Sequence, residues 1–111
     1  VGEIMSYLIV FMTASGREEA EKIVYALLKE KLIACANIVE SVSSFFWWQG
    51  SIESEEEVLV IMKSSETLFE QLQKRVSELH SYDVPEISAL PIVAGSPAYL
   101  DWLKDCLEPV K

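Results

Sequence analysis

One histidine, two cysteines, four glycines and four prolines are spread through 111 residues. Each scarcity closes off a class of chemistry. A single His80 cannot build an imidazole-rich metal centre from one chain, and no serine stands in a GxSxG pattern. The glycines form neither GxGxxG nor a Walker loop, so no phosphate cradle is indicated. Cys35 and Cys106 lie far apart, with no CxxC and no zinc-finger spacing. Both are expected as free thiols in a reducing, cytoplasmic setting; a bridge would need a proximity that the sequence does not specify. Cations are scarce too, with nine Lys and Arg against eighteen Asp and Glu and a formal charge of −9. Nucleic acids and anionic membrane surfaces are bound through clustered positive charge, so neither is an expected partner. No apolar run exceeds six residues, too short for a membrane-spanning helix. The opening VGEIMSYL has no basic stretch and no long apolar one, so no secretory signal is expected there. Linkers, low-complexity tracts and internal repeats are missing as well, and a single domain over residues 1–111 is expected.

What the chain has is apolar residues, half of the total, in alternating patterns. Tyr7–Thr13 is apolar on both faces of a strand and should be central and buried. Ser15-Gly16-Arg17-Glu18 fits a capping box, with Ser15 as the cap and Glu18 three residues on. Ala20, Ile23, Val24, Leu27 and Leu28 then follow at helical spacing, and this helix should end near Lys31. Ala36–Trp48 reads as a long strand, Gln49-Gly50 as a hairpin turn, and Ser51–Lys63 as the returning strand. Ser65–Leu79 is a second helix and Glu86–Val93 a fourth strand, which Pro91 consigns to an edge. Ser96-Pro97 opens a third helix carrying Tyr99, Leu100, Leu103 and Leu107. The fold class is therefore α+β: a ferredoxin-like β-α-β-β-α-β antiparallel sheet with an extended hairpin and a C-terminal helix. Its first and third strands, the two that are apolar on both sides, belong at the centre.

Two features do not close within one copy. Helices on one face would leave the central strands' other face wet, a large apolar patch that monomers rarely tolerate. The hairpin is also too long, since about 13 residues at ~3.3 Å reach roughly 43 Å. A chain of this size has a radius of gyration of about 13 Å and a diameter on the order of 34 Å, so the tip must project. It carries Phe45-Phe46-Trp47-Trp48, two aromatics per face. An intermolecular clamp is the expected use. Stacking on nucleic acid is disfavoured by the neighbouring Glu53, Glu55, Glu56 and Glu57.

Candidate chemistry centres on His80, which needs carboxylates, a thiolate or copies of itself from other chains to make a metal site. Tyr82 and Glu86 stand beside it on a turn stiffened by Pro85, and form the best candidate pocket wall. Lys63 closes the third strand and would hold an anion if it were half-buried beside Glu86 or Glu57. The run Glu53–Glu57 lacks the Asp/Asn-Gly spacing of a calcium loop and reads as a solvated edge.

Five ordered blocks resemble one family. Leu32-Ile33-Ala34-Cys35-Ala36-Asn37-Ile38 is similar to its L-x-A-C-x-N-I segment, and Ser44–Ile52 to its S-x-Y-x-W-x-G-x-I hairpin tip. Glu57–Ser64 is similar to E-x-L-x-x-x-K-T, His80–Ile87 to H-P-Y-E-x-P-E-I, and Tyr99–Trp102 to Y-x-x-W. This is the CutA divalent-cation-tolerance family, and the resemblance spans about Tyr7 to Leu107. It implies a homotrimer of PII-like architecture, with sheets inward, helices outward and hairpins clasping neighbours. It further implies tolerance to copper and other divalent cations, and no enzymatic reaction. Some copper-binding members carry a Cys where Met12 stands and a second His where Leu79 stands. The metal ligands implied here are thus Met12 and His80, a soft pair suited to Cu(I) where they converge. Phe46 and Ser81 also replace family residues, the tip Tyr and the Pro after the His. The implied intersubunit cleft is lined by Trp48, Lys63, Tyr82, Glu86 and Trp102, and would suit a small-ligand sensor. A scaffold that anchors another protein is the third reading.

Overall fold

The computed structural model describes residues 6–108. In chain order the elements are β1 (Tyr7–Ala14), α1 (Arg17–Lys29), β2 (Cys35–Trp48), β3 (Ser51–Ser65), α2 (Phe69–Leu79, entered through a 3-10 turn at Glu66–Leu68), β4 (Ile87–Pro91) and α3 (Pro97–Leu107). The sheet is antiparallel in the order β2-β3-β1-β4, with the two strands that are apolar on both sides at its centre. β4 is shorter than expected and ends at Pro91, one residue before the Ile92 N–H that still donates to Tyr7 O at 2.9 Å.

Cross-strand register assigns the faces. Val10 lies opposite Met62 and Ala89, and Met12 opposite Val60 and Ile87. With Ala14, Val58 and the α1–α2 stripe of Ala20, Ile23, Val24, Leu27, Leu72 and Val76, they make one closed core. Ile9, Phe11, Leu59 and Ile61 alternate with these residues, point to the other face and stay outside that core. Leu103 and Leu107 of α3 are buried yet also lie outside it. Tyr99 Oη stands 3.7 Å from Sγ of Cys35, a residue in register with Lys63 and, through it, with Ile9. The third helix therefore folds over one end of the second face. All three helices on one side would be the wrong picture: α3's Leu stripe finds its apolar partner on the face that α1 and α2 leave open.

Two helix ends differ from their sequence signals. The N-cap of α1 is Gly16 with no side-chain cap bond. Ser15 pairs with Glu19 rather than Glu18, donating its Oγ at 3.0 Å and its N–H at 3.3 Å to the carboxylate. The start shifts by one residue, so the reciprocating acid shifts too. At the other end α1 stops at Lys29, because Lys31 takes a left-handed φ of 58°. Its N–H donates to Leu28 O and that of Leu32 to Leu27 O, a Schellman ending that swings Leu32 into the core beside Leu27.

The hairpin closes as expected, with positive φ at both Gln49 (48°) and Gly50 (83°), the signature of a type I′ turn. β2 and β3 run far beyond the body, and the molecule measures 52 × 27 × 22 Å with a radius of gyration of 15.1 Å. The ladder is interrupted once: Val39 pairs with Leu59 and Val42 with Glu57, so Glu40 and Ser41 oppose the single Val58. This bulge, with Ser41 at φ 62°, bends the projecting arm.

Leu27 is fully buried and also seals the end of α1. Leu27→Ala is expected to cost about 2–5 kcal/mol, read as a lowered urea midpoint at unchanged slope. A loss below about 1 kcal/mol would mean that this core is loosely packed.

Candidate functional site

The candidate pocket wall forms where α2 ends. His80 is the residue after α2, with extended backbone, and its ring is buried. The β1–β4 ladder stops at the Met12–Ile87 pair, and just beyond it His80 Nε2–H donates to Thr13 O at 2.7 Å. A carbonyl only accepts, so the proton sits on Nε2, and Nδ1 is left to accept the Tyr82 N–H at 3.0 Å. Both ring nitrogens are engaged. The ring packs against that of Tyr82 with centroids 4.6 Å apart.

Two carboxylates from other elements complete the arrangement. Glu19 of α1 accepts the Ser81 N–H at 2.8 Å in addition to the two Ser15 bonds. Burial alone would raise its carboxyl, but the hydrogen bonds from Ser81 and Ser15 outweigh burial and hold it down at about 2. Glu57 accepts the Tyr82 hydroxyl at 2.6 Å. Burial first, and then the Glu57 carboxylate, push the Tyr82 hydroxyl far above its ordinary range, so it stays a donor. Glu57 is buried, unlike the exposed Glu53, Glu55 and Glu56, and so departs from the solvated edge that the acidic run suggested. α1, β1, β3 and the 80–86 connector are thereby tied at one point.

The residues of the implied cleft fall into three places within one chain. Tyr82 and the exposed Glu86 stand at the connector, where β4 begins. Lys63 lies toward the other end of β3, half-buried between Ile9 and Cys35. Among the described residues it has no carboxylate within ion-pairing distance, so neither Glu57 nor Glu86 is its partner. Trp102 is half exposed on α3 and stacks on Tyr99 at 5.8 Å, near the Cys35–Lys63 pair. Trp48 is at the hairpin tip opposite Ser51, on the order of 40 Å from Cys35 along the strand. Only another copy's hairpin would bring Trp48 to the rest. Met12 is sealed in the core beside Val10, Val60 and Met62. Its thioether and the spent nitrogens of His80 do not present a converging donor pair inside one chain. Among the described residues no three His, Cys, Asp or Glu side chains gather into a metal-sized group.

Glu19 went unnoticed in the sequence, and Glu57 was read there only as part of a solvated acidic run and as a neighbour for Lys63. One signal was available: Gly16, a good cap in its own right, moves the reciprocating acid from Glu18 to Glu19.

Glu19 is depressed from its ordinary 4.5 to about 2, so its contribution is complete above pH 4.5 and is lost as pH falls through about 2. Glu19→Gln is expected to be less stable at neutral pH and to show a flatter stability curve between those values. Denaturant titrations at several pH values measure this, and parallel curves for the two proteins would contradict it. Tyr82→Phe leaves a buried carboxylate without its donor and should cost about 1–3 kcal/mol by the same measurement.

This geometry has counterparts among known proteins. Residues 8–106 match the family described as "CutA1 divalent ion tolerance protein". A relative named divalent-cation tolerance protein CutA, from Pyrococcus horikoshii, is 48% identical over 96 residues, covering 86% of this chain and 93% of the relative. The Arabidopsis thaliana protein named "Protein CutA, chloroplastic" is 43% identical over 98 residues, 88% of this chain. The chain spans about half the length of that plant relative, 54%. The crystal structure of CutA1 from Oryza sativa superposes with a TM-score of 0.91 at 37% identity, covering 95% of this chain and 96% of that one. The blocks that carried the resemblance in the sequence all lie within the matched residues 8–106, and the chain belongs to the CutA1 divalent ion tolerance family.

Proposed function

We propose that the chain acts as a homotrimer that binds divalent cations, copper foremost, and catalyses no reaction on them. The observation that carries this reading is the second sheet face. Ile9, Phe11, Leu59 and Ile61 form an apolar surface that α3 covers only at one end, beside a hairpin with Phe45, Trp47 and Ile52 in water. Burying such surface is the main favourable term in association, and cyclic closure lets identical copies shield one another without exposing a new face. The number three follows the family resemblance.

Cation binding is supported by charge and by family membership. Each chain carries −9, so three carry 3 × −9 = −27, a field that concentrates cations. Because one chain gathers no three-donor cluster among its described residues, the donors are drawn from more than one copy. Copper is favoured among divalent first-row ions by its place in the affinity order. His80 would join such a site only by releasing Thr13 O or the Tyr82 N–H. A reducing, cytoplasmic setting suits the free Cys35 and Cys106. A second reading, a small anionic ligand in an intersubunit cleft, is favoured by Lys63, half-buried without a carboxylate partner beside the Tyr99–Trp102 stack.

Sedimentation at micromolar concentration tests the assembly, and a 12.5 kDa particle would refute it. Calorimetric titration of chelator-treated protein with Cu(II), Cu(I) and Zn(II) tests the cargo, and no binding of any of the three would refute cation binding. His80→Gln is expected to melt earlier than the parent and to keep its copper affinity. A lost affinity with an intact melt would make His80 a ligand.

A further inference from the structure

The bulge in β2 sits where the hairpin leaves the body, and it is held from outside the sheet. Glu40 is one of the two residues that oppose the single Val58, and its Oε1 accepts a hydrogen bond from Arg17 Nη1 at 2.8 Å. Arg17 is the first residue of α1 and is itself braced, with Nε donating to Glu21 Oε1 at 2.8 Å one turn along the helix. The guanidinium thus joins the helix layer to the one irregular point of the long strand. A bulge bends its strand and increases the local twist, and the amount of bend varies from case to case. Past the base of the arm, where Tyr82 donates to Glu57 opposite Val42, no side-chain hydrogen bond or ion pair among the described residues ties the arm to the body, and Phe45, Trp47 and Ile52 are all about two-thirds exposed or more. A small change in angle at the bulge is multiplied along the seven residues of β2 from Val42 to Trp48.

We propose that Arg17 and Glu40 form a pin that sets the angle of the hairpin, so that the arm arrives pre-aimed at a second copy. The proposal rests on the self-association reading and adds to it the residues that prepare one copy for the next. An exposed ion pair does little for the stability of the folded chain. Its effect here is on the arm's freedom: an arm held at its docking angle loses less entropy when it binds. Arg17 and Glu40 are positioning residues, since neither belongs to the aromatic surface that makes the contact. Their loss should therefore alter assembly more than folding.

The experiment is subunit exchange between two fluorescently labelled populations of the full chain, followed by energy transfer. Urea is added, where needed, to bring the parent's exchange into the range of hours. Arg17→Ala and Glu40→Ala are each expected to exchange about two- to fivefold faster per hairpin contact, the size of one exposed ion pair. The charge swap Arg17→Glu with Glu40→Arg should return the rate to within about twofold of the parent, as coupling between two directly paired residues requires. Glu18→Ala separates a general helix effect from the pin, since it removes an acid from the first turn of α1 but neither the pin nor its brace. Parent-like exchange in both single variants would overturn the proposal, as would equal acceleration in Glu18→Ala. If the parent itself sediments at 12.5 kDa and forms no mixed species, the self-association reading falls and takes the pin with it. Parent assembly with unaltered variants removes the pin alone.

Discussion

A four-stranded sheet whose central strands are apolar on both faces needs two apolar coverings. This chain supplies one in full. α1 and α2 cover the face that carries Val10, Met12, Val60 and Met62, and those four side chains are fully buried. On the other face α3 reaches only the end near Cys35, leaving Phe11, Leu59 and Ile61 partly wet. The length of the hairpin and its aromatic tip answer the same shortage. At about 25 cal/mol per Å² of apolar surface removed from water, such a face favours association strongly, and the chain's design is legible as half of an interface.

Much of this was readable from alternation alone. A strand such as Tyr7–Ala14, apolar on both faces from Leu8 to Met12, fits only the middle of a sheet, and Gln49-Gly50 fits only a tight hairpin turn. Signals of that kind are local, and they survived. What escaped was set by contacts between layers. Lys31 looks like a helical residue, yet its left-handed turn lets Leu32 reach the core, and that gain outweighs one strained backbone position. Glu57 sits in an acidic run and looks solvated. Its burial depends on Tyr82, 25 residues away, arriving from a connector whose path no periodicity describes. The placement of α3 was likewise invisible, because an amphipathic stripe says that it must be covered and not by which face.

The candidate site shows the same division. The segment His80–Glu86 was recognisable as special, since Pro85, Tyr82 and the lone His80 stand close together. Its role in one chain is nonetheless architectural. His80 and Glu19 spend their hydrogen-bonding capacity on Thr13, Ser15, Ser81 and the Tyr82 backbone. Buried polar groups that are fully satisfied fix geometry, and the geometry fixed here is the lip from which Tyr82 and Glu86 are presented. A ligand set needs lone pairs left over, and within a single copy the connector has few to give.

The acidic excess and the apolar face then belong to one design. On the arm, Phe45, Trp47, Ile52 and Ser54 share one side, while Phe46 and Trp48 share the other with Glu53 and Glu55. The side with the fewer acids, only Glu56 opposite Ser43 near its base, carries the most exposed aromatics, Phe45 at 73% and Trp47 at 72%. A long two-stranded arm with bare edges would pair indiscriminately with other arms if it were apolar all round. Glutamates along β3 make arm-to-arm stacking a meeting of like charges. On the self-association proposed above they would leave docking onto the sheet face of another copy unopposed, since Ile9, Phe11, Leu59 and Ile61 bring no acid and Lys63, beside Ile9, brings a cation. Under that proposal, net charge that would weaken a compact monomer would act as a filter, letting the arm reach the surface that needs covering while holding it off its own kind.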